Sequence, residues 1–281
     1  LYVSAPFAYP HRYVLDTGNL SEEDRSKLSK SKQIDLNEEE KTITLQVGSI
    51  VVATGWQPYD ASNLTNLGAG RIANCISNMQ MERLAAPSGP TEGHIKRPSD
   101  DTAPKKVAFV QCAGSRDENH LNYCSYICCM ASLKQARYVR EQYPDSEVDI
   151  FYIDLRTPGR YENFAQQTLT DENIRAIKGK VAEVEEDIAS GGVWLTAEDA
   201  MSGRKLRNCY DLVVLATGMQ PSLAHDTLPL RLSADEEGFV YDSDAAGIFS
   251  AGCAAEPLDV MKSAQSGTAA AMKAIQTVRG R

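Results

Sequence analysis

The sequence predicts an α/β protein in which one α/β unit interrupts another. An apolar strand closed by Ala-Thr-Gly and followed by x-Gln-Pro occurs twice, at residues 49–58 and 212–221, and marks two domain junctions. Between the two copies, residues 105–200 alternate short apolar runs with segments of helical spacing. This alternation is typical of strands and helices that build a parallel sheet.

The composition is that of a globular chain. Its 281 residues are 42% hydrophobic and 24% charged, which excludes a disordered, collagenous or coiled-coil protein. No apolar run approaches the ~20 residues needed to cross a bilayer, so no direct membrane span is predicted. The net charge of −9 argues against nucleic acid as a partner, because phosphate binding uses clustered Lys and Arg.

Hydrophobic periodicity places the individual elements. Residues 41–47 alternate at period two and predict a strand, and the run 49–55 predicts a strand covered on both faces. Residues 85–104 carry Pro, Gly, Ser and Asp without periodicity and predict a loop or domain junction. The pattern then predicts strands at 106–111, 147–155, 174–184, 193–196, 210–218 and 247–253, and helices at 125–143, 161–172 and 259–278.

The repeated Ala-Thr-Gly strand ends carry the first functional signal. A buried strand ending in Thr-Gly lets the backbone turn sharply against a ligand, because glycine has no Cβ. Together with a third strand ending in Ser-Ala-Gly, the copies resemble the two-dinucleotide-binding-domain flavoproteins, the thioredoxin-reductase-like class. The resemblance implies an FAD domain interrupted by an inserted Rossmann-like domain, with Ala53, Thr54 and Gly55 at the first crossing. A buried strand end without a ligand is the alternative.

The end of the chain departs from that class at one residue. The third strand of the class usually ends in Gly-Asp, and the Asp contacts the flavin ribityl chain, whereas here Gly252 precedes Cys253. The last predicted helix starts near Asp259, Val260 and Met261, where free N–H groups and the helix dipole would stabilise negative charge on a flavin. Close packing by small residues is the alternative explanation for this helix.

One glycine pattern is interpreted as accidental. Residues 68–73 match G-x-G-x-x-A, but a true phosphate-binding fingerprint follows an apolar strand and opens a helix, and residues 62–67 are mostly polar. An FAD domain of this class would carry its fingerprint near its N-terminus. The chain begins at Leu1 without Met or a signal peptide, so it was processed or it starts partway through such a domain. The order of motifs favours the second explanation.

Four of the seven cysteines lie within eighteen residues. Cys112 directly follows the strand predicted at 106–111, and Cys124, Cys128 and Cys129 follow with the spacing C-x11-C-x3-C-C, where a nucleotide-binding unit would carry a glycine-rich turn. Zinc sites usually pair their cysteines as C-x2-C, which does not occur in this sequence. The pattern therefore favours an iron–sulfur cluster of the [4Fe–4S] type, with buried and redox-inert thiols as the alternative.

Around these cysteines the resemblance narrows to one family. Residues 110–117 (Val-Gln-Cys-Ala-Gly-Ser-Arg-Asp) and 123–130 (Tyr-Cys-Ser-Tyr-Ile-Cys-Cys-Met) resemble the A-type subunit of heterodisulfide reductase and its relatives. Residues 251–266 are most similar to the branch of this family found in the quinone-interacting membrane-bound oxidoreductase of sulfate reducers. The resemblance covers nearly the whole chain and implies FAD and a [4Fe–4S] cluster on the four cysteines. It also accounts for Cys253, because this family carries Gly-Cys in place of Gly-Asp.

The resemblance further implies a catalytic residue and a division into domains. In this family a Lys that follows the double cysteine lies near flavin N5, and the matching residue is Lys134, with a solvated surface Lys as the alternative. The predicted domains are 1–103, the later part of an FAD-binding domain, 104–216, an inserted Rossmann-like domain that bears the cluster, and 217–281, the return of the FAD-binding domain.

The leading hypothesis is a cytoplasmic oxidoreductase subunit of an anaerobic respiratory complex, held at the membrane by partner subunits. The resemblance implies electron transfer through FAD and a [4Fe–4S] cluster between a quinone pool and adenylylsulfate reductase, an enzyme of sulfate reduction. Flavin-based electron bifurcation of the heterodisulfide reductase type is one alternative, and a non-catalytic, cluster-bearing scaffold is another. A nicotinamide-dependent disulfide reductase is disfavoured, because the sequence has neither a C-x2-C redox pair nor a glycine-rich turn near residue 112.

Overall fold

A computed structural model describes residues 2–3, 11–39 and 42–280, apart from the side chains of Tyr2 and Ala245. The chain divides into two compact units, Leu1–Val47 and Gly48–Arg281. The described residues of the smaller unit include two short antiparallel strands, β1 (Tyr2–Val3) and β2 (Tyr13–Val14), and the α-helix α1 (Glu22–Leu28). The Ser21 hydroxyl caps α1 by accepting a hydrogen bond from the Asp24 amide at 3.1 Å.

The strand predicted at 41–47 is wrong for the residues that the structure describes there. Lys41 lies outside the described residues, and residues 42–47 form no strand. Ile43 and Leu45, which supply the alternating pattern, are 79% and 75% exposed. Alternation alone does not hold a strand, because the strand also needs a neighbour that takes up its backbone hydrogen bonds.

The larger unit is built around a five-stranded parallel sheet. Its elements are β3 (Ile50–Val52), β4 (Trp56–Pro58), β5 (Cys75–Ser77), α2 (Asn78–Ala85), β6 (Lys106–Ala113), α3 (Cys128–Gln142), β7 (Glu147–Tyr152), α4 (Tyr161–Leu169), β8 (Ile174–Lys178), β9 (Val181–Asp187), β10 (Gly192–Asp199), β11 (Arg204–Tyr210), β12 (Leu212–Thr217), β13 (Met219–Pro221), β14 (Ile248–Ser250) and α5 (Val260–Arg279). The strand order in the sheet is β5-β12-β6-β7-β8, and every neighbouring pair is parallel. The α/β prediction is confirmed.

Apolar side chains on both faces hold this sheet. β12 is buried along its whole length, and Val107 and Phe109 of β6 are fully buried. Leu133 of α3 belongs to the apolar cluster that joins α2, α3 and α4 to one face. Val193 of β10 belongs to the cluster that joins the antiparallel meander β9-β10-β11 to the other face. Strands covered on both faces are near-continuous hydrophobic runs, which is the pattern that predicts them in the sequence.

The two copies of the sequence repeat lie side by side. β4 and β13, which carry Trp-Gln-Pro and Met-Gln-Pro, pair as antiparallel strands with Gln57 opposite Gln220. β3 and β14 pair in parallel, so the chain leaves a small sheet at β3 and returns to it at β14. The insertion predicted from the repeat is therefore confirmed. β5 also belongs to the inserted sheet although it precedes residue 104, and the boundaries 1–103, 104–216 and 217–281 stay a prediction.

Two glycine positions bear on the predicted elements, one as a difference and one as an agreement. The strand predicted at 174–184 is two strands, β8 and β9, because the chain turns at Gly179, where a Cβ would lie 2.0 Å from the Glu198 carbonyl oxygen. The pattern at 68–73 leads into strand β5 rather than into a helix, which agrees with its rejection as a phosphate-binding turn.

None of the helices in the described part of the chain combines the length and apolar character that crossing a bilayer requires.

Candidate functional site

The four clustered cysteines lie at the carboxyl edge of the five-stranded sheet. Cys112 is the second-last residue of β6, Cys124 lies in the following loop, and Cys128 and Cys129 open α3. β7 and β8 lie on one side of β6 and β12 lies on the other, so the strand order turns at this edge. Open α/β sheets bind ligands at such a point.

The loop between β6 and α3, called the cysteine loop below, has an unusual backbone. Five described non-glycine residues have a positive φ, and three of them lie in or next to this loop: Cys112 at 55°, Arg116 at 56° and Tyr126 at 67°. Each such conformation costs about 1–3 kcal/mol and persists only where surrounding contacts impose it. The cysteine loop must therefore be held by its neighbours.

The second crossing, β12 to β13, supplies those contacts. Ser125 Oγ lies 2.6 Å from Ser115 Oγ and accepts a hydrogen bond from the Met219 amide at 3.0 Å. Tyr123 Oη donates to the Met219 carbonyl at 2.8 Å. A Cβ on Gly218 would lie 2.4 Å from Ser115 Oγ, so this close approach requires glycine. The second Ala-Thr-Gly copy thus clamps the cysteine loop.

The four thiols lie close enough to act on one another's charge. Burial raises the pKa of Cys128, and the charges of the three other cysteines raise it further. Burial also raises the pKa of Cys112 to about 11, with Cys129 and Cys124 adding to the effect. Each thiolate opposes the ionisation of its neighbours, while the positive charge of Arg116 acts in the other direction at Cys112. A metal would supply further positive charge and stabilise the four groups as thiolates.

Hydrogen-bond donors point at the sulfurs. The Tyr126 amide donates to Cys124 Sγ at 3.4 Å, and the Arg156 amide donates to Cys129 Sγ at 3.3 Å. Cys128 and Cys129 also occupy the first turn of α3, where the positive end of the helix dipole favours thiolates. The N–H contacts and the helix dipole suit anionic sulfur ligands, whereas Cys129 Sγ also donates to the Gln111 side-chain oxygen at 3.2 Å and to the Asp154 carbonyl at 3.5 Å.

Among the described residues, no three His, Cys, Asp or Glu side chains are arranged to hold a single metal ion. A cubane cluster makes a different demand, because each thiolate binds its own iron atom and the four sulfurs stand further apart. The donor set of four thiols, with N–H groups directed at sulfur, fits that demand in its chemistry. The cluster itself stays a proposal.

An apolar cavity of about 610 Å³ opens beside the cysteine loop. Its lining residues come from α3, α4, the two crossings and the start of α5, and they are Trp56, Tyr126, Ile127, Met130, Ala131, Lys134, Pro158, Tyr161, Phe164, Met219, Leu258, Asp259 and Val260. Four aromatic side chains and one cation suit a flat, conjugated ligand. Tyr126 and Ile127 belong to the cysteine loop, so the cavity and the thiols share a wall.

Lys134 lies in the wall of this cavity, on the second turn of α3. Its Nζ forms an ion pair with Glu82 Oε1 at 2.8 Å and stands 5.5 Å from the centroid of the Tyr138 ring. Burial is the largest single influence on the pKa of Lys134 and acts to lower it, but the hydrogen bond and charge of Glu82 together with Tyr138 outweigh burial, and the pKa is raised. Lys134 is therefore a cation at neutral pH, and Glu82 of α2 fixes its position.

At the first crossing, Thr54 gives the clearest sign of a ligand. Its Oγ1 is buried without a hydrogen-bond partner, which is rare for a buried hydroxyl. Ala53 is exposed, and Gly55 has a φ of 74° with open space where a Cβ would lie. This crossing presents an unsatisfied hydroxyl and an open backbone turn, and a ligand can use both.

Gly252 and Cys253 lie behind the cavity wall. Cys253 is 8% exposed and packs with Met219 and Leu258, which line the cavity. The Gly252 amide donates to Ser266 Oγ at 3.0 Å. Neither residue is among the described residues that line the cavity, so Cys253 shapes the wall from behind.

The start of α5 reaches both the cavity and the cysteine loop. Asp259 and Val260 line the cavity, and Asp259 Oδ1 caps the helix by accepting from the Lys262 amide at 2.8 Å. Lys262 Nζ stands 4.5 Å from the centroid of the Tyr126 ring. Met261 is 55% exposed and does not belong to the cavity lining. Of these predicted flavin neighbours, the structure brings Asp259 and Val260 to the cavity.

Most of the cavity wall is not predicted from the sequence, because its residues come from distant segments. One signal does identify two of them. Trp56 and Met219 occupy the same x position of the repeated x-Gln-Pro, and both line the cavity. Glu82 carries no comparable signal, since its pairing with Lys134 depends on how α2 packs against α3.

No protein-family model matches the chain. The second A-type iron-sulfur subunit of CoB--CoM heterodisulfide reductase from Methanopyrus kandleri is 38% identical over 254 residues, which is 86% of this chain. The A-type subunit of H(2):CoB-CoM heterodisulfide,ferredoxin reductase from Methanothermobacter marburgensis is 37% identical over 260 residues, or 87% of this chain. A protein of Archaeoglobus profundus that is named for its likeness to the same subunit of heterodisulfide reductase is 35% identical over 273 residues, or 86% of this chain.

The chain spans 39% of the length of each of these three relatives. Among solved structures, thioredoxin reductase from Lactococcus lactis matches 83% of this chain and 67% of its own length. The TM-score of that match is 0.48 and the sequence identity is 17%.

Proposed function

Because the chain is homologous over most of its length to the A-type subunit of heterodisulfide reductase, we propose that it forms part of an electron-transfer flavoprotein, an oxidoreductase that holds FAD and a [4Fe–4S] cluster. The observation that carries the proposal is the shared wall, in which Tyr126 and Ile127 lie between two cysteines and also line the cavity. Bound FAD exchanges two electrons as a pair and a [4Fe–4S] cluster passes one at a time, so the two together link two-electron and one-electron partners.

In this proposal the four clustered cysteines hold the cluster. Cys128 and Cys129 are 5% and 6% exposed, so the protein excludes water from two of the sulfurs. The Tyr126 and Arg156 amides stabilise the negative charge on sulfur through hydrogen bonds. The contacts between the second crossing and the loop keep the ligands in place.

The cavity side would bind the flavin ring. Lys134 is the proposed catalytic residue, because it holds a positive charge at the wall, and Glu82 orients its Nζ at 2.8 Å. The Thr54 hydroxyl is the proposed polar contact at the first crossing, next to Ala53 and Gly55. The first turn of α5, Asp259 to Met261, would direct its dipole at the ligand, while Gly252 and Cys253 support the wall.

We propose a quinone pool and adenylylsulfate reductase as the two ends of the electron path. The support is the resemblance of the segment 251–266 to the quinone-interacting branch of the family. The chain would then act within a complex whose other subunits hold it at a membrane.

Electron bifurcation is the second candidate function. Its support is the relative from Methanothermobacter marburgensis, whose name gives two acceptors, a heterodisulfide and ferredoxin. A bifurcating flavoprotein needs both acceptors at once, whereas a linear carrier needs one.

The number of acceptors is therefore the basis of the test. The chain is loaded anaerobically with iron, sulfide and FAD, reduced, and mixed with a soluble quinone, with adenylylsulfate reductase, with ferredoxin or a heterodisulfide alone, or with ferredoxin and the heterodisulfide together. Fast oxidation of the bound flavin by the quinone, or by adenylylsulfate reductase, is the expected result. Oxidation only when ferredoxin and the heterodisulfide are present together favours bifurcation, and no oxidation by any acceptor favours a non-catalytic scaffold.

A further inference from the structure

A glutamine interrupts the apolar strand that leads to the first cysteine. Gln111 lies in β6 between Val110 and Cys112 and is 6% exposed. Its Nε2 is buried without a hydrogen-bond partner. Buried N–H donors without a partner are rare and unfavourable, so an apolar side chain would suit this position better unless the donor has a use.

The other end of the same amide contacts a cysteine of the cluster. Cys129 Sγ donates to Gln111 Oε1 at 3.2 Å and to the Asp154 carbonyl at 3.5 Å, while the Arg156 amide donates to this sulfur at 3.3 Å. Cys129 thus faces two acceptors and one donor. This arrangement suits a thiol, which can donate a proton, better than a thiolate, which only accepts.

We propose that the Gln111 amide donates a hydrogen bond to the Cys129 sulfur when that sulfur is a cluster ligand. The inference rests on the proposed function, because it requires an iron-bound thiolate. A ligand sulfur has lost its proton and repels an amide oxygen at 3.2 Å. Half a turn about the last side-chain bond exchanges Oε1 and Nε2 and brings the donor to the sulfur. The oxygen then takes the position without a partner, which is less unfavourable for an acceptor than for a donor.

The consequence is control of the reduction potential. Hydrogen bonds to cluster sulfurs stabilise the reduced state, which carries more negative charge, and they raise the potential. Gln111 is therefore a positioning and tuning residue that binds no iron. Its place in β6, between β12 and β7 in the sheet, fixes the amide beside Cys129.

The test measures the cluster potential in the anaerobically reconstituted chain by redox titration followed by EPR. Gln111→Leu removes the donor and keeps the volume, so we expect bound iron together with a lower potential. Gln111→Glu also removes the donor and adds negative charge, so we expect a still lower potential. Gln142→Leu is the matched control, because the Gln142 amide bonds to the Gly93 carbonyl and the Ile95 amide instead of a cysteine.

A second measurement uses the unchanged chain, so that the proposal is tested even if the Gln111 variants assemble no cluster. Glutamine side chains are labelled with 15N in the unchanged chain, and pulsed EPR then detects nitrogen coupled to the reduced cluster. Among the described residues, Gln111 is the glutamine whose side chain bonds to a cysteine, so coupling to the label supports the proposal.

Two results overturn the inference in distinguishable ways. If the loaded chain shows no 15N coupling, or if Gln111→Leu and the wild type have the same cluster potential, only the role of Gln111 is contradicted. A wild-type chain that takes up no iron contradicts the proposed function and this inference with it.

Discussion

The two Ala-Thr-Gly copies are alike in sequence and stand in opposite surroundings. In the first copy, Thr54 Oγ1 has no partner, and Gly55 has open space in the direction of a Cβ. In the second copy, Thr217 is 2% exposed, and a Cβ on Gly218 would lie 2.4 Å from Ser115 Oγ. The first crossing is open and the second is closed.

The difference shows that one motif serves two purposes. A strand that ends in Thr-Gly allows close approach to its backbone, whatever approaches it. At the open crossing, no neighbouring atom of the described residues lies within 4 Å of the position of a Cβ on Gly55, so the backbone stays free for a ligand, although residues 53–55 are not among the residues that line the cavity. At the closed crossing, the cysteine loop occupies that space, and the Thr217 carbonyl lies 3.8 Å from Cys128 Sγ. The following predictions test this division.

The largest effect is expected for the cysteines beside the closed crossing. Cys128→Ser or Cys129→Ser removes one of four thiolate ligands, so near-complete loss of bound iron is expected after anaerobic reconstitution. Iron and sulfide analysis measures this loss. Cys75→Ser is the control and should keep its iron, because Cys75 is not one of the four clustered cysteines and its Sγ donates to the Leu67 carbonyl at 3.2 Å. Full iron content in both ligand variants would show that the ligands are assigned wrongly.

The two glycines of the repeat should respond unequally to alanine. Gly218→Ala forces a Cβ against the cysteine loop, and a loss of about 3 kcal/mol in the free energy of unfolding is expected, together with reduced iron uptake. In Gly55→Ala the new Cβ meets no neighbouring atom of the described residues. The free energy of unfolding should fall only by the cost of the positive φ, about 1 kcal/mol, and iron uptake should stay unchanged. Urea unfolding of both variants measures the difference. Equal losses would contradict the division into open and closed crossings.

A smaller effect is expected at the cavity wall. Lys134→Met removes the cation beside the proposed flavin, so the flavin potential should fall by on the order of 20 mV, the equivalent of about 1 kcal/mol for a partly exposed charge. Glu82→Gln keeps the cation and loosens its position, so a smaller shift is expected. Spectroelectrochemistry of the FAD-loaded chain measures both shifts, and Lys205→Met at an exposed position of β11 is the control. An unchanged potential in Lys134→Met would remove Lys134 from the site.

The smallest effect is expected at the open crossing. Thr54→Val replaces a buried hydroxyl that has no partner, so the stability of the chain without FAD should stay equal or rise by up to about 1 kcal/mol. FAD affinity should fall by roughly fivefold, because the hydroxyl loses its proposed ligand contact. Urea unfolding and fluorescence titration measure the two quantities. Lower stability with unchanged FAD affinity would make Thr54 a purely structural residue.

The sequence predicts the inserted sheet because its strands are buried on both faces. Residues 107–110 of β6 and 212–216 of β12 are unbroken apolar runs, and α3 shows helical spacing of its apolar residues, so local pattern and tertiary burial agree. The pattern at 41–47 fails because exposed alternating residues have no sheet to join. No helix is predicted at α2, because its apolar pattern is weak. The sequence feature that marks the start of this helix is the capping box, in which the side chains of Ser77 and Gln80 accept hydrogen bonds from each other's backbone amides.

The site is only half predictable for a physical reason. The cysteines lie close together in the chain, so their spacing alone indicates a metal site at the end of β6. The cavity combines Tyr126, Phe164 and Leu258 from segments far apart in sequence, and only the packed fold joins them. The same holds for the pair of Lys134 and Glu82, because no local pattern encodes a contact between two helices.

The most direct test of the central claim is whether one molecule of this chain holds flavin and an iron–sulfur cluster on the two sides of the Tyr126–Ile127 wall. The chain is reconstituted anaerobically with iron, sulfide and FAD, purified from excess reagents, and measured by elemental analysis for iron and zinc, by visible absorption, and by EPR after reduction. A flavin band, a broad iron–sulfur shoulder and a reduced-cluster EPR signal in the same sample are the expected result. Protein that retains zinc but neither iron nor flavin would contradict the account.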